Sequence, residues 1–177
     1  MKLHKTSVQD AFLIVLEPHL DDRGLFTEGF VKDRLGKAGL KFDVLRMNFA
    51  MSDRAGTVRG LHWQADPWSQ GKIVYSVSGN IFDVIVDVRP GSGTYGMSFT
   101  TTLTPLANAV FVPRGVAHGW QALDDKAKIM YLVDNEYMPS HERGLRYTDP
   151  AVIWPLPPVM VSERDLGWPM FRELEPQ

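Results

Sequence analysis

Two of the five histidines lie where an imidazole could do chemistry. His62 stands in Arg59-Gly-Leu-His-Trp-Gln64, which is typical of a strand, and His118 stands in Pro113-Arg-Gly-Val-Ala-His-Gly-Trp120, which combines a tight turn with apolar residues. An imidazole has an ordinary pKa of ~6.5, so near pH 7 it is largely neutral and can act as a general base. The other three lie among charged or turn residues and are predicted to be solvated: His4, His19 and His141.

Single polar residues recur on strands that are otherwise apolar. Because side chains alternate between the two faces of a strand, Lys72, Asp83 and Tyr131 each lie opposite their apolar neighbours in the sequence. A barrel whose interior collects these three with His62 and His118 would hold a base, a cation and an acid in one cavity. Taken alone, each also fits a structural role: a solvent-facing lysine or aspartate, a buried or turn histidine, a core tyrosine with a satisfied hydroxyl.

The elements that must position these residues are short strands. Runs of β-branched and aromatic residues with period two predict strands over 11–16, 25–30, 44–51, 73–77, 81–88, 97–103, 109–112 and 129–133. About eight strands with turn signals every ~8 to 12 residues favour a sandwich or barrel over an alternating α/β fold. One short helix is predicted at about 32–38. The proline-rich DPAVIWPLPP predicts that a tail over 149–177 lies across the body of a single domain covering 1–177.

Composition excludes several classes of function. A formal net charge of −2 and a pI near 6.2 give no reason to expect nucleic acid or an anionic membrane as a partner, although basic residues near the two histidines could serve a phosphorylated small molecule. Without cysteine there is neither a disulfide framework nor a thiolate metal site. The N-terminus lacks an apolar signal core, and no apolar run approaches the ~20 residues of a membrane span. We expect a soluble cytoplasmic protein.

The second histidine fragment resembles a known motif. Pro113-x-Gly-x-x-His118 is similar to the second conserved motif of cupins, small β-barrels that usually bind a metal. A metal-binding cupin also needs a His-x-His and a downstream Glu in its first motif. Here that position has His62-Trp-Gln64, so the ligand set is incomplete. The resemblance therefore implies a metal-free member.

Roughly residues 20 to 170 resemble one group of such proteins, the nucleotide-sugar epimerases typified by dTDP-4-dehydrorhamnose 3,5-epimerase. The matching motifs occur in family order and include Asp22-Arg-Gly-x-Phe-x-Glu28, Val58-Arg-Gly-Leu-His-Trp-Gln64, Gln70-Gly-Lys72, Gly79-x-Ile-x-Asp-Val-x-Val-Asp-x-Arg89, Pro113-x-Gly-x-Ala-His-Gly119 and Ser162-Glu-Arg-Asp165. The resemblance implies an all-β, cupin-like double-stranded β-helix or jelly-roll barrel with a few short helices.

The resemblance also implies a reaction. Family substrates are 4-keto-6-deoxy sugars attached to a nucleoside diphosphate, and the C4 carbonyl acidifies the protons on C3 and C5. A base removes one proton, the negative charge moves to the carbonyl oxygen, and an acid returns a proton from the opposite face. No metal, nicotinamide, flavin or other cofactor is needed.

Family position implies the catalytic roles. His62 is the base, and Asp165 is the carboxylate that orients it and stabilises the imidazolium. Lys72 is the cation that stabilises the enolate oxygen, a contribution of ~3 to 4 kcal/mol. Tyr131 is the proton donor on the other face.

The remaining matches concern substrate binding. His118 is expected to contact the sugar or enolate, with Asp83 supporting Lys72 or the histidines. Arg59 is expected to meet the diphosphate, where a guanidinium can bind in bidentate fashion, and Tyr137 to stack on the base. Further implied contacts come from Asn48, Glu142 and Arg164, and, from the neighbouring subunit of a homodimer, from Arg23, Phe26 and Glu28.

Four departures concern substrate identity. Arg46 replaces the usual Gln, Ala50-Met-Ser52 replaces Ser-x-Ser, Trp120 stands where Phe is common, and Arg164 replaces Lys. Arg46 and Trp120 lie in regions that choose nucleotide and sugar. Relatives that invert only C3 or only C5 share these motifs. Two other functions stay open: a metal-dependent cupin using His62, Gln64 and His118, and a non-catalytic nucleotide-sugar binder.

Overall fold

The computed structural model describes residues 1–174. Within that range the chain forms strands β1 (Lys2–Lys5), β2 (Phe12–Val15), β3 (His19–Asp21), β4 (Gly24–Phe26), β5 (Arg46–Ser52), β6 (Val58–Gln64), β7 (Lys72–Ser78), β8 (Ile81–Asp87), β9 (Ser98–Leu103), β10 (Asn108–Val112), β11 (Val116–Ala122), β12 (Ala127–Val133) and β13 (Glu142–Gly144). Helices α1 (Lys32–Lys37) and α2 (Glu163–Leu166) and 3-10 turns at Pro139–His141 and Phe171–Glu173 complete the described elements. Neither helix of residues 1–174 is long and apolar enough to cross a membrane.

Two antiparallel sheets make up the body. One has the order β1-β2-β10-β7-β12-β5 and the other β13-β6-β11-β8-β9, while β3 and β4 pair separately as a hairpin. The predicted all-β class is therefore confirmed, and α1 lies where a short helix was predicted. The helix at 32–37 is followed by Gly39 with φ of 94°, a left-handed conformation that glycine adopts without strain.

Three apolar clusters form the core, one between the sheets and one on the outer face of each sheet. Between the sheets lie Val74, Val110 and Ile129 from the six-stranded sheet and Ile85 and Val116 from the five-stranded sheet. The outer face of the six-stranded sheet is covered by α1 and the residues after it. There Leu35, Leu40 and Phe42 pack on Ile73, Tyr75 and Leu132. The alternation predicted for β7 is therefore observed, with Val74 inward and Ile73 and Tyr75 outward.

The outer face of the five-stranded sheet is covered by the C-terminal segment. Val152, with the partly buried Trp154 and Phe171, packs on Leu61 and Val84. Trp154 also donates its indole N–H to the Tyr147 carbonyl at 2.7 Å. Within residues 149–174, the strand-like pairing of the segment with the sheets is limited to an isolated parallel bridge between Thr57 and Met160.

Several expectations about the elements are wrong. The turn predicted within Pro113-Arg-Gly115 is present at Arg114 and Gly115, but His118 is not part of it: Val116–Ala122 form the strand β11, whose seven residues are all buried. Its Ala, Gly, His and Gln residues lack β-branched character, and full burial hides the period of two. Strands β1, β3 and β13 and helix α2 were also missed, each being only three or four residues long, and the strand predicted over 25–30 ends at Phe26.

Candidate active site

Side chains from both sheets and from the C-terminal segment line one cavity of about 550 Å³. The five-stranded sheet contributes His62 from β6 and His118 from β11. The facing sheet contributes Lys72 from β7 and Tyr131 from β12. Helix α2 contributes Asp165. Groups that can donate and accept protons therefore stand on opposite walls.

The partly buried His62 and the buried Asp165 form a pair. The imidazole Nε2 lies 2.5 Å from one Asp165 oxygen, and the other oxygen accepts the Gly60 N–H at 3.1 Å. Burial acts to raise the pKa of Asp165, but hydrogen bonding and the charge of His62, with the Gly60 and Ser162 contacts, outweigh it and lower that pKa below its ordinary value. The carboxylate stays ionised, binds Nε2, and leaves Nδ1 as the nitrogen that can accept a proton.

The position of Asp165 follows from a short helix signal. Ser162 caps α2 by accepting the Asp165 N–H at 3.2 Å, and Gly167 ends the helix. A serine followed three residues later by an acid is a common start of a helix. The cap fixes the carboxylate beside β6, where Asp165 is 2% exposed.

An irregularity in β6 turns Arg59 into the cavity. In the pairing with β11, His118 faces His62 but Trp120 faces Arg59, so β6 carries one extra residue between the two pairs. Strict alternation would put Arg59 on the face opposite His62, and the bulge restores it to the same face. Gly60 makes this possible, since it has φ of 103° and an added Cβ would lie 2.7 Å from the His118 carbonyl oxygen.

The re-aimed guanidinium is held in place. Arg59 donates to the Met51 carbonyl at 2.9 Å and to the Ser52 hydroxyl at 3.2 Å. Its Cζ lies 5.8 Å from the centre of the Trp120 ring, within the range of a cation–π contact. Arg59 and Trp120 therefore form one end of the cavity.

A second histidine–aspartate pair lies at the wall of the larger cavity. The Nε2 of His118 lies 2.8 Å from an Asp83 oxygen, and both side chains are buried. Beside them, burial lowers the pKa of Lys72 to about 8, although the charges of Glu142 and Asp83 act in the other direction. Burial also raises the pKa of the Tyr131 phenol, although Arg59 and Arg46 oppose that shift. Tyr131 therefore keeps its proton at neutral pH.

A smaller cavity of about 360 Å³ shares part of the same wall. His62, Lys72, Tyr131 and Arg164 line both cavities. Its other lining residues include Arg46, Asn48, Gln70, Tyr137 and Glu142.

Polar contacts hold the rim of the smaller cavity together. The Glu142 carboxylate accepts from Arg164 at 2.7 Å and from the Tyr137 hydroxyl at 3.0 Å. Arg46 is paired with Glu136. The rim thus offers two guanidinium groups and one exposed tyrosine ring.

Most predicted site residues come together, and four do not line a cavity. The cavities collect His62, Asp165, Tyr131, Lys72, Arg46, Asn48, Arg59, His118, Trp120, Tyr137, Glu142 and Arg164. Asp83 lies behind His118. Arg23, Phe26 and Glu28 are outside both cavities of their own chain: Arg23 is paired with Asp21, and Glu28 with Arg34.

Sequence reasoning missed part of the lining. Met160 and Val161 bring the C-terminal segment to the larger cavity, and Gln70 reaches the smaller one. Trp168 packs edge-to-face on His62, with ring centres 6.2 Å apart. The Ser162-x-x-Asp165 spacing was a usable signal for α2, whereas the contact with Trp168 depends on tertiary structure alone.

Gln64, a candidate metal ligand, is engaged elsewhere. Its amide nitrogen donates to the carbonyls of Trp68 and Glu136, and its amide oxygen accepts the Met138 N–H at 2.7 Å. Among residues 1–174, no group of three or more His, Cys, Asp or Glu side chains is arranged to hold a metal ion.

Comparison with known proteins agrees with the motifs. The family model described as dTDP-4-dehydrorhamnose 3,5-epimerase matches residues 5–173. A dTDP-4-dehydrorhamnose 3,5-epimerase of Mycobacterium tuberculosis is 39% identical, covering 98% of this chain and 89% of the relative. A dTDP-4-dehydrorhamnose 3-epimerase of Streptomyces niveus is 36% identical, covering 93% and 81%.

A solved structure has the same fold. The dTDP-4-dehydrorhamnose 3,5-epimerase of Bacillus anthracis, crystallised with TDP and PPi bound, superposes with a TM-score of 0.92 at 35% identity, covering 96% of this chain and 98% of that one. The predicted cupin-like architecture is therefore confirmed. On sequence and structure together, the chain belongs to the dTDP-4-dehydrorhamnose 3,5-epimerase family of sugar epimerases.

Proposed function

We propose that this protein inverts both C3 and C5 of a dTDP-linked 4-keto-6-deoxy sugar through an enolate. The observation that carries the proposal is the placement of a base and an acid on opposing sheets, His62 on one and Tyr131 on the other, with Lys72 lining the same cavity. The names of the relatives support this substrate class. A substrate ring between the two walls presents one face to each group.

The first step is proton abstraction next to the carbonyl. His62 Nδ1 takes the proton from C3 or C5, and the C–H electron pair moves into the C4 carbonyl to give an enolate. Asp165 stabilises the imidazolium through its contact with Nε2. Lys72 faces the developing oxyanion as an ammonium that needs no reorganisation.

The second step is reprotonation from the opposite face. Tyr131 donates its phenolic proton to the carbanion carbon, and the C4 carbonyl re-forms with the configuration inverted. The phenolate regains a proton and the imidazolium loses one by exchange with water, which restores the site for the other centre. A Tyr131 that stays protonated at neutral pH suits this role.

We place the sugar at the wall common to both cavities and the nucleotide along the smaller one. The exposed Tyr137 ring there can stack on a base. Arg164, which lines both cavities, can bind the diphosphate oxygens as a guanidinium group, whereas Arg59 lines only the larger cavity and its diphosphate contact stays a prediction. Arg46, in place of the glutamine usual at this position, adds a cation beside the nucleotide.

We also propose a homodimer in which each chain completes the site of its partner. The support is an unpaired edge: β5 ends the six-stranded sheet, and its outward side chains Met47, Phe49 and Met51 are exposed, Phe49 by 67%. Exposed apolar side chains on a free strand edge are typical of a surface that another chain covers. Arg23, on the exposed β3–β4 hairpin, would then reach the partner's nucleotide.

The first prediction concerns exchange. In deuterated water with dTDP-4-keto-6-deoxyglucose, we expect the wild type to incorporate deuterium at both C3 and C5, as followed by NMR. His62→Asn should lower exchange at both centres by more than ~100-fold, because it removes the general base. Asp165→Asn should cost less, since it misorients the base without deleting it.

His4→Asn is the control, because His4 is exposed and outside both cavities. Deuterium at a single carbon would reduce the proposal to a single epimerase, and deuterium at neither would reject the substrate. Wild-type exchange in His62→Asn would remove His62 from the mechanism.

The second prediction separates the two faces of the ring. Tyr131→Phe should still incorporate deuterium into unchanged substrate but form little epimer, because the base is intact and the opposite donor is missing. Chromatography of the products beside NMR of the substrate measures both. Tyr95→Phe, which removes a hydroxyl outside the cavities, is the control and should behave as wild type. If Tyr131→Phe instead lost deuterium exchange and epimer formation in parallel, Tyr131 would be a binding or structural residue.

The third prediction is a pH profile. The pKa of Lys72 is lowered to about 8, so the ammonium present below pH 8 becomes a neutral amine above it. We expect kcat/KM to fall as pH rises through about 8, and Lys72→Met to lose ~100- to 1000-fold of kcat together with that alkaline limb. Because the pKa of Tyr131 is raised, its deprotonation cannot supply the same limb. An unchanged limb in Lys72→Met would assign it to another group.

The fourth prediction concerns assembly. Light scattering should give roughly twice the chain mass of 20.0 kDa, and Phe49→Lys should give monomers with weakened substrate binding. Arg23→Ala should stay dimeric and raise KM about tenfold with kcat nearly unchanged, because it loses a charge-assisted contact. Ile153→Lys, at an apolar position that is 82% exposed elsewhere, is the matched control. A fully active wild-type monomer would refute both the dimer and this role of Arg23.

A further inference from the structure

Trp168 contacts the proposed base from outside the substrate cavities. Its ring meets the His62 ring edge-to-face, with centres 6.2 Å apart and planes at 70°. That separation and angle are typical of a favourable aromatic pair. Trp168 is absent from the lining of both cavities, so its contact with the site runs through the imidazole.

Gly144 makes room for this contact. In the pairing of β13 with β6, Gly144 lies directly opposite His62. A Cβ built on Gly144 would stand 2.2 Å from Trp168 Cδ2 and 2.4 Å from Cδ1, so the indole occupies the space that any other side chain would need. Gly144 does not have a positive φ, so the site requires a glycine because it lacks a side chain and not because of its backbone freedom.

One short segment holds the imidazole by two different contacts. Asp165 binds Nε2, and Trp168, three residues later and just beyond the end of α2, packs on the ring. Arg146 anchors the segment, donating its Nε–H to the Trp168 carbonyl at 2.7 Å and its backbone N–H to the Pro169 carbonyl at 2.8 Å. The hydrogen bond to Asp165 fixes the position of His62 Nε2, and the Trp168 indole limits rotation of the imidazole about that bond.

The indole is placed for its ring and not for its polar atom. Trp168 Nε1 is buried and has no hydrogen-bond partner among residues 1–174. A buried donor without a partner is unfavourable, so contacts of the ring must outweigh it. A phenyl ring can make the same edge-to-face contact and has no N–H group that would be left without a hydrogen-bond partner.

We propose that Trp168 is a positioning residue that, through the space left by Gly144, holds the His62 ring in line with Asp165 and shields their hydrogen bond from water. The proposal rests on His62 being the base of the proposed epimerase. Because Trp168 touches His62 and lies outside the cavities, it acts on kcat rather than on substrate affinity.

The kinetic test uses four variants of the full-length protein. Trp168→Ala should lower kcat for dTDP-4-keto-6-deoxyglucose between ~10- and 100-fold, as expected for a misplaced base, with KM within about twofold of wild type. Trp168→Phe should restore most of kcat. Gly144→Ala should resemble Trp168→Ala, because its methyl group displaces the indole. In the Gly144→Ala/Trp168→Ala double variant, the methyl group should cost nothing further.

Two results would overturn the proposal. One is a loss that falls on KM with kcat unchanged, which would make Trp168 part of the binding surface. The other is a loss of kcat from Gly144→Ala that persists in the Trp168→Ala background. That result would mean that the added methyl group acts by disturbing β13 and not by displacing the indole. Thermal melts establish that each variant is folded at the assay temperature.

A readout without substrate separates this proposal from the proposed function. The His62 Nε2 proton should give a protected imidazole NMR signal, identified by its loss in His62→Asn. We expect its exchange with water to be at least about tenfold faster in Trp168→Ala and near wild type in Trp168→Phe. If the wild type does not turn over but this pattern holds, the positioning stands and the substrate is wrong; an unchanged signal in Trp168→Ala rejects the positioning whatever the substrate.

Discussion

A buried carboxylate cannot be left without partners, and much of the site follows from how Asp165 obtains them. An ionised group taken out of water costs several kcal/mol unless charge and hydrogen bonds compensate. Both of its principal donors, the His62 ring and the Gly60 amide, belong to β6. Satisfying this one group therefore brings α2 to β6, sets the imidazole, and requires the backbone of β6 to present an N–H at Gly60.

The two-sheet architecture explains why inversion suits this fold. A core of Val74, Ile85 and Val110 fixes the distance between the sheets, and the polar residues stand where that core gives way to a cavity. In the proposed mechanism, a planar enolate held there is approached from one side by His62 of the five-stranded sheet and from the other by Tyr131 of the six-stranded sheet. Because the sheets keep a fixed separation, side chains on them hold their positions on the two sides of the cavity more precisely than side chains on a flexible loop would.

Sequence alone could predict the faces of regular strands. Alternation placed Lys72, Asp83 and Tyr131 opposite their apolar neighbours and left open whether that face meets solvent. The structure turns all three inward, because β7, β8 and β12 keep a period of two through these positions. At Arg59 strict alternation does not hold, because an extra residue in β6 breaks the period. Bulges depend on the partner strand, so no pattern within the chain announces them.

Other features were beyond the reach of local pattern for different reasons. Strand β11 is buried on both faces and is rich in small and polar residues, so it carries neither alternation nor β-branched character. The packing of Trp168 on Gly144 unites two segments that no propensity links. Arg23, Phe26 and Glu28 were assigned to a site from family position, and one chain by itself cannot bring them to it.

The order of the elements along the chain has a consequence for biosynthesis. All thirteen strands described in residues 1–174 end by Gly144, whereas the carboxylate partner of His62 comes 103 residues after it, near the C-terminus. A nascent or proteolytically shortened chain that stops between residues 144 and 165 can contain every described strand and still lack the carboxylate that binds His62. In the proposed mechanism, catalytic competence therefore waits until synthesis has passed the described strands and reached residue 165, so copies that stop before it carry the scaffold without the chemistry.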